Sequence, residues 1–301
     1  MVLGDLMVDV VLAPARALEV GTDVPGRVRL VAGGSAANTA RWLGRLGARS
    51  SLIAAVGRDP TGRALVDTLR ADKVTPRIIR VAGARTGRIG VIVAPDGERS
   101  FVADRGAADL LRPDDLVAAW FAGADALHMP AYSLIGEPLG LSGRRAIELA
   151  REAGAIVSID LASIGPLLAQ GRAAARTLIE GISPDLILAT ASEAEALMGR
   201  PAAEGLLEFG AVAVVKRGVK GATVLARDGA ARFRFEVATA HIAAADTTGA
   251  GDAFDAGFLV GWFSARAAGR SVPASLQRAA LSGHRAAARQ LSAPRPELPL
   301  G

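Results

Sequence analysis

Along much of this chain short apolar runs alternate with helical spacings, and that alternation constrains the fold more than any single motif. The runs Val2–Val11, Ser51–Val56, Ala124–Met129, Ala155–Asp160, Asp185–Ala189 and Ala211–Lys216 predict strands. Between them Ser35–Leu46, Thr61–Ala71, Ser142–Ala153 and Arg172–Glu180 predict helices, and Gly47 and Gly154 are suited to end two of them. Strands joined through helices lie parallel and need cover on both faces. The fold class that follows is α/β, a mostly parallel sheet sandwiched by helices. Ligands of such folds sit at the carboxyl ends of the strands.

Two stretches break the alternation. Arg27–Val31 alternates polar and apolar residues, while Arg88–Val93 and Ser100–Ala103 flank Pro95-Asp96-Gly97-Glu98 and read as a hairpin with its turn. These segments either extend the central sheet or form a small sheet projecting from it. In the second reading the lid strands lie at about 10–32 and 86–104 and can cover a site or pair with another subunit as a homodimer. No linker or repeat divides the chain, so a single domain over 1–301 is expected, with a loose proline-containing tail after Ser292.

Composition narrows the function. Half of the residues are hydrophobic, ample for a buried core. No stretch approaches the roughly 20 apolar residues of a membrane span, and the N-terminus lacks a basic-then-apolar signal, so a cytoplasmic protein without a membrane partner is expected. With no cysteine, thiolate nucleophiles and thiolate metal sites are excluded, and His128, His241 and His284 form no zinc motif. The net charge is +5, its basic residues dispersed among acidic ones. No basic stripe interleaves with aromatics, so nucleic acid is not an expected partner.

The chemistry gathers at Asp246-Thr247-Thr248-Gly249-Ala250-Gly251-Asp252. Phe254, Phe258 and Trp262 follow at four-residue spacing, which predicts a helix starting near Ala250 with Gly249 and Gly251 in its first turn. Unpaired N–H groups and the dipole at such a start favour an anion, and glycine lets a phosphate approach the backbone. A carboxylate there repels that anion unless it has work to do. Asp252 is suited to take a proton from a hydroxyl attacking phosphorus while the N–H groups stabilise the transferring phosphoryl. Read alone, the carboxylate is equally a helix cap and the glycines a plain turn. A second pair, Gly33-Gly34, opens the helix carrying Asn38, whose amide both donates and accepts, as a polyol requires. Asp9, at the end of the first predicted strand, can accept from two vicinal hydroxyls.

Taken together, these residues resemble the ribokinase-like sugar kinases, also called the phosphofructokinase-B type, from about Val2 to Ala293. Both family signatures are present, Gly33-Gly34…Asn38 and Asp246–Asp252. Further matches are Gly57-x-Asp59-x-x-Gly62, Thr86-Gly87, Gly106-Ala107 and Lys216-x-Gly218-x-x-Gly221. The resemblance implies a Rossmann-like domain with a β-sheet lid and ATP-dependent phosphorylation of a primary hydroxyl on a small sugar or sugar-like molecule. It implies Asp252 as base, Gly249, Ala250 and Gly251 as anion hole, and Asp9, Gly33, Gly34 and Asn38 as sugar ligands. It also implies a Mg-ATP site at Thr190, Lys216, Gly218 and Gly221, with Glu193 reaching Mg²⁺ through water and Asp246 at a K⁺-type monovalent-cation site. Consistently, no P-loop sequence occurs.

Departures from the family pattern bear on the substrate. Thr190-Ala191-Ser192-Glu193 stands where Asn-x-x-Glu is usual, and Ser292-Ala293 where the cation site usually has a glycine. Compared with true ribokinases, Met7 replaces an asparagine and Tyr132 falls at a substrate-binding glutamate, which removes ribose contacts. Tyr132 is expected to line the sugar pocket, with core packing as the competing reading. Arg88 and Arg105, at the hairpin's two ends, recognise a carboxylate or phosphate if buried and stay solvated if not. A neutral sugar is the first expectation. A sugar acid of the 2-keto-3-deoxygluconate kind or a nucleoside such as pseudouridine is the alternative, and a non-catalytic sugar-binding regulator is the competing class.

Overall fold

Successive residues of a strand point to opposite faces of its sheet, so an uninterrupted apolar run implies burial on both sides. A computed structural model describes residues 1–94, 99–199, 203–242, 246–293 and 295–299. In its first half, β1 (Val2–Leu3), β2 (Met7–Pro14), β3 (Gly26–Gly33), β4 (Ser50–Gly57), β5 (Val74–Val81), β6 (Arg88–Val93) and β7 (Arg99–Asp104) enclose α1 (Ser35–Arg45) and α2 (Pro60–Ala71). Then follow β8 (Ala126–Pro130), α3 (Leu139–Glu152), β9 (Ile156–Asp160), α4 (Ile164–Leu168), α5 (Arg172–Ile182), β10 (Leu186–Thr190), α6 (Ala191–Met198) and β11 (Val212–Lys216). The antiparallel strands β12 (Ala222–Asp228) and β13 (Ala231–Val237) and the long helices α7 (Ala250–Ala267) and α8 (Val272–Leu291) complete the order.

The main sheet runs β13-β12-β11-β10-β9-β8-β1-β4-β5 and is parallel from β11 to β5. Leu52 and Ala54 face one core with Phe258 and Leu276 of α7 and α8. Ile53 and Ala55 face a second core with Leu149 and Ile179 of α3 and α5. β5 escapes a search for apolar runs because it lies at the sheet edge, half exposed, where Pro76 costs little.

The first predicted strand, Val2–Val11, divides in two. β1 pairs with β4 in the main sheet, whereas β2 belongs to a separate sheet of order β3-β2-β6-β7. Asp9 therefore stands on the small sheet, not at the end of a main-sheet strand. The segments in question do not extend the central sheet; the turn Pro95–Glu98 itself lies outside the described residues. The tail also departs from expectation. Glu297 bridges to Val31, Leu298 N–H donates to Leu30 O at 2.7 Å, and the Leu298 side chain is buried, so residues 295–299 are stitched to β3. Among the described residues no helix is long and apolar enough to cross a membrane.

Asp59 joins two matched sequence elements across space. As N-cap of α2 it accepts from Gly62 N–H at 2.7 Å, and it also accepts from the N–H and Oγ1 of Thr86, each at 2.7 Å, where the chain enters β6. Burial opposes the charge, yet these bonds hold the carboxyl below its ordinary range. A depressed carboxylate contributes stability that is present above its unfolded pKa and lost as pH falls through the folded one. Asp59→Ala is expected to lower the unfolding free energy by about 1–2 kcal/mol, measured by urea denaturation at pH 7, with the deficit shrinking under acid conditions; equal stability at pH 7 contradicts this role.

Candidate active site

The start of α7 is built by its glycines. Gly249 has φ 79°, a left-handed conformation that a side chain resists, and lets the chain turn sharply from Thr248 into the helix. Asp246 Oδ1 accepts from Thr248 N–H at 2.9 Å, and Gln290 Nε2 of α8 donates to Thr248 O at 3.0 Å, so the approach is pinned from both sides. The N–H groups of Gly251 and Asp252 have no partner within the helix. Thr248 Oγ1 is buried and likewise without a partner among the described residues.

Asp252 sits on that first turn and is shared between two helix starts. Its Oδ1 accepts from Ser35 Oγ at 2.7 Å and its Oδ2 from Asn38 Nδ2 at 2.9 Å, both on α1. Burial raises the carboxyl to about 6 against the pull of these donors; Asp160 adds to the rise and Lys216 opposes it. A carboxyl there is charged at neutral pH and basic enough to take a proton.

Asp252 lines a cavity of about 520 Å³ together with Asp5, Asp9, Gly34, Ser35, Asn38, Arg105 and Tyr132. Gly33 is demanded by Asp9, since a Cβ there would stand 2.0 Å from Asp9 Oδ1. Asp5 organises the floor: its Oδ1 accepts from Ala36 N–H at 3.1 Å and from the Tyr132 hydroxyl at 2.7 Å. Arg105 stacks over the Tyr132 ring, 4.6 Å from its centroid, donates to Asp109, and lies 3.9 Å from Asp5. Arg88 is exposed and does not line this cavity. Phe101 and Ala103 of the small sheet form part of its wall.

A second cavity, about 850 Å³, opens on the other side of the α7 turn, lined by Gly218, Val219, Gly221, Thr239, Ile242 and His284. Both cavities touch Thr190, Lys216 and Gly251. Lys216 thus stands at their junction, with Nζ 2.9 Å from Asp160 Oδ1 and 3.0 Å from Asp255 Oδ1. Burial alone would lower the lysine, but Asp160, Asp255 and Glu193 outweigh it and raise its pKa. Asp160 and Asp255 pair with the ammonium while Glu193 acts on it through space, and desolvation with mutual repulsion pushes Asp255 up and lifts Glu193 to about 7. Thr190 and Glu193 close a capping box at the start of α6, in which Glu193 Oε2 accepts from Thr190 N–H at 2.7 Å. Among the described residues no cluster of three or more acidic or histidine side chains is arranged to hold a metal by itself.

Asp246 stands apart from Asp252. Its carboxylate faces Arg99 at 3.6 Å and Arg295 at 3.4 Å. Sequence reasoning overlooked Ser35, inside the Gly33-Gly34…Asn38 element, Asp5, inside the first predicted strand, and Asp160, whose place at the carboxyl end of a parallel strand was the available signal. Arg295 carried no signal, being beyond the last helix.

The fold and this geometry agree with comparisons to known proteins. The model of the pfkB family carbohydrate kinases matches residues 1–297. The Arabidopsis thaliana protein named "Probable fructokinase-3" is 35% identical over 74% of this chain and 66% of its own length, just under two thirds of that relative. An adenosine kinase from Sinorhizobium meliloti superposes with TM-score 0.82 at 25% identity, covering 99% of this chain and 96% of that one. An E. coli structure described as a Ribokinase II in complex with ATP and Mg²⁺ gives TM-score 0.78 at 22% identity, over 98% and 93% of the two chains.

Because burial lifts Asp252, the folded state holds an extra proton between pH of about 3.8 and about 6, and the stability from this group is lost as pH rises through 6. Asp252→Asn keeps both hydrogen-bond neighbours, since Ser35 can accept from the new amide while Asn38 still donates to its oxygen. The variant is expected to exceed the wild type by more than about 1 kcal/mol at pH 8 and to converge with it below pH of about 4 in urea denaturation. A difference that does not change with pH would remove the burial argument.

Proposed function

The chain belongs to the pfkB family of carbohydrate kinases, and from that premise we propose that it moves the terminal phosphoryl group of Mg-ATP to a primary hydroxyl of a small neutral sugar. The observation that carries this is the pair of cavities meeting at the Gly249–Gly251 turn, with Asp252 facing the smaller one. The larger suits a nucleotide and the smaller a sugar. The E. coli structure with ATP and Mg²⁺ supports the donor assignment. In this reading Asp9 and Asn38 receive sugar hydroxyls, Asp252 takes the proton from the attacking oxygen, and the unpaired N–H groups of the α7 turn receive the developing charge. Mg²⁺, when bound, would neutralise the nucleotide phosphates, with Glu193 meeting its water shell in this reading. Lys216 adds a fixed positive charge where the two substrates meet.

Electrostatics favours a neutral acceptor over a sugar acid. The smaller cavity presents Asp5, Asp9, Asp109, Glu137, Asp160, Glu193 and Asp252 against Arg105 and Lys216. Both cations are already paired with carboxylates, so a further acid meets surplus like charge. Fructose is the first candidate, supported by the Arabidopsis relative; a nucleoside is the second, supported by the adenosine kinase neighbour. Exposed Val28 and Val102 on the small sheet support its pairing with a second copy.

Coupled measurement of ADP release over a panel of ketoses, aldoses, sugar acids and nucleosides tests the reading. A neutral hexose should lead, and kcat/KM should rise with pH through about 6 as Asp252 loses its proton. Asp252→Asn should reduce kcat by about 10²- to 10⁴-fold with ATP affinity retained; near-normal turnover in the folded variant would sink the assignment of the base. No release with any acceptor would make the protein a binding regulator instead. The two lid arginines separate as well. Arg105→Ala should raise the sugar KM by about tenfold, while Arg88→Ala, altering an exposed side chain, should leave kinetics unchanged. If both leave kinetics unchanged, Arg105 takes no part in selection; if Arg105→Ala harms a sugar acid alone, the acid replaces the neutral sugar.

A further inference from the structure

Arg295 lies just beyond α8, and its side chain is only 9% exposed. Its Nη1 donates to Asp9 Oδ2, and its Nε lies 3.4 Å from Asp246 Oδ2. One guanidinium thus spans a carboxylate on the small sheet and a carboxylate at the approach to the α7 turn. It does so from behind: Asp9 lines the smaller cavity, whereas Arg295 lines a separate crevice with Asn38, Arg41, Trp42 and Gln290. Asp9 Oδ1 has no side-chain partner among the described residues. The arrangement is anchored, because the bridge from Glu297 to Val31 and the bond from Leu298 N–H to Leu30 O fix the segment on β3, the strand paired with Asp9's own.

The same contacts bear on the monovalent cation that the family resemblance implies. Such an ion needs oxygen ligands free of competing charge. Both oxygens of Asp246 already face guanidinium groups, Oδ1 toward Arg99 and Oδ2 toward Arg295. Among the described residues, those around Asp246 do not fit an additional cation.

We propose that Arg295 is a positioning residue and the site's own built-in cation: it aims the Asp9 carboxylate at the sugar, ties it to Asp246 at the anion turn, and occupies the electrostatic place of an exchangeable monovalent ion. The inference rests on the reading of the smaller cavity as the sugar site. Burial raises Asp9, and Arg295 is the chief influence opposing that rise.

The experiment compares wild type, Arg295→Lys, Arg295→Gln and Arg295→Ala on the best acceptor, in K⁺ and in tetramethylammonium at equal ionic strength. Wild-type rates should be the same in both salts. Arg295→Ala should raise the sugar KM by about 10- to 100-fold with the ATP KM nearly unchanged, Arg295→Lys should recover part of the loss, and added guanidinium chloride at low millimolar concentration should partly rescue the alanine variant. Thermal-shift measurement gives a readout independent of turnover: sugar should raise the wild-type melting temperature and do so far less for Arg295→Gln. A merely structural arginine would lower the melting temperature without separating the two KM values. An unchanged sugar KM in a folded variant overturns the positioning role, and wild-type activation by K⁺ of tenfold or more overturns the built-in cation. Should Arg295→Ala not fold, the glutamine and lysine variants decide by the same KM comparison. If instead Asp252→Asn retains turnover, the underlying assignment of the site fails, whatever the Arg295 variants do.

Discussion

The carboxylate of Asp252, buried between two helix starts, is the contact on which the site depends. Ser35 and Asn38 belong to the helix opened by Gly33-Gly34, and Asp252 to the helix opened by Gly249. Two glycine-rich turns more than two hundred residues apart in sequence are therefore one unit in space. The helix dipoles converge on this point, which stabilises negative charge there, while burial raises the cost of carrying it. A basic carboxyl results from that opposition. A fully solvated aspartate would be too weak a base, and one paired directly with a lysine would be weaker still.

Lys216 supplies a buried positive charge at the junction of the two cavities. Its position at the end of β11 brings it to Asp160 at the end of β9 and Asp255 one turn beyond Asp252. Buried cations are tolerated only when paired. Here the pairing is excessive, with Glu193 also near, and the surplus of carboxyl groups favours proton retention among them. Such a cluster is poised to respond to a polyanion. An anion approaching Lys216 would compete with Asp160 and Asp255 for the ammonium, coupling its binding to the protonation of groups that face the smaller cavity.

Much of the main sheet was legible because its strands are buried on both faces and carry unbroken apolar runs. The site motifs were legible for a related reason: glycine pairs and carboxylates at helix starts are unusual enough to be noticed. The parts that escaped have weaker local signals. β5 is half exposed and contains Pro76, so periodicity does not mark it. The division of Val2–Val11 between two sheets depends on Gly4 and Asp5 leaving the main sheet, with the Asp5 carboxylate bonded to the start of α1, a long-range contact. Arg88 and Arg105 look equivalent by position in the hairpin, yet only Arg105 points toward Asp5 and Tyr132. Arg88 begins β6 opposite Asp104, whereas Arg105 lies just beyond β7 at the start of a short 3-10 turn, and spacing alone does not resolve that difference.

The small sheet owes its place to the same economy of contacts. β2 emerges from the main sheet carrying Asp9, β3 returns to Gly33 and the start of α1, and the segment after α8 runs back along β3. A side chain at position 33 would collide with Asp9 at 2.0 Å, so the register between β2 and β3 and the presence of glycine are mutually required. Sliding β2 by one residue would turn Asp9 to the opposite face of the sheet and part it from Arg295. The sheet that covers the smaller cavity is thereby held in register by charges that belong to the site it covers, and its position and the site's electrostatics are set by a single arrangement.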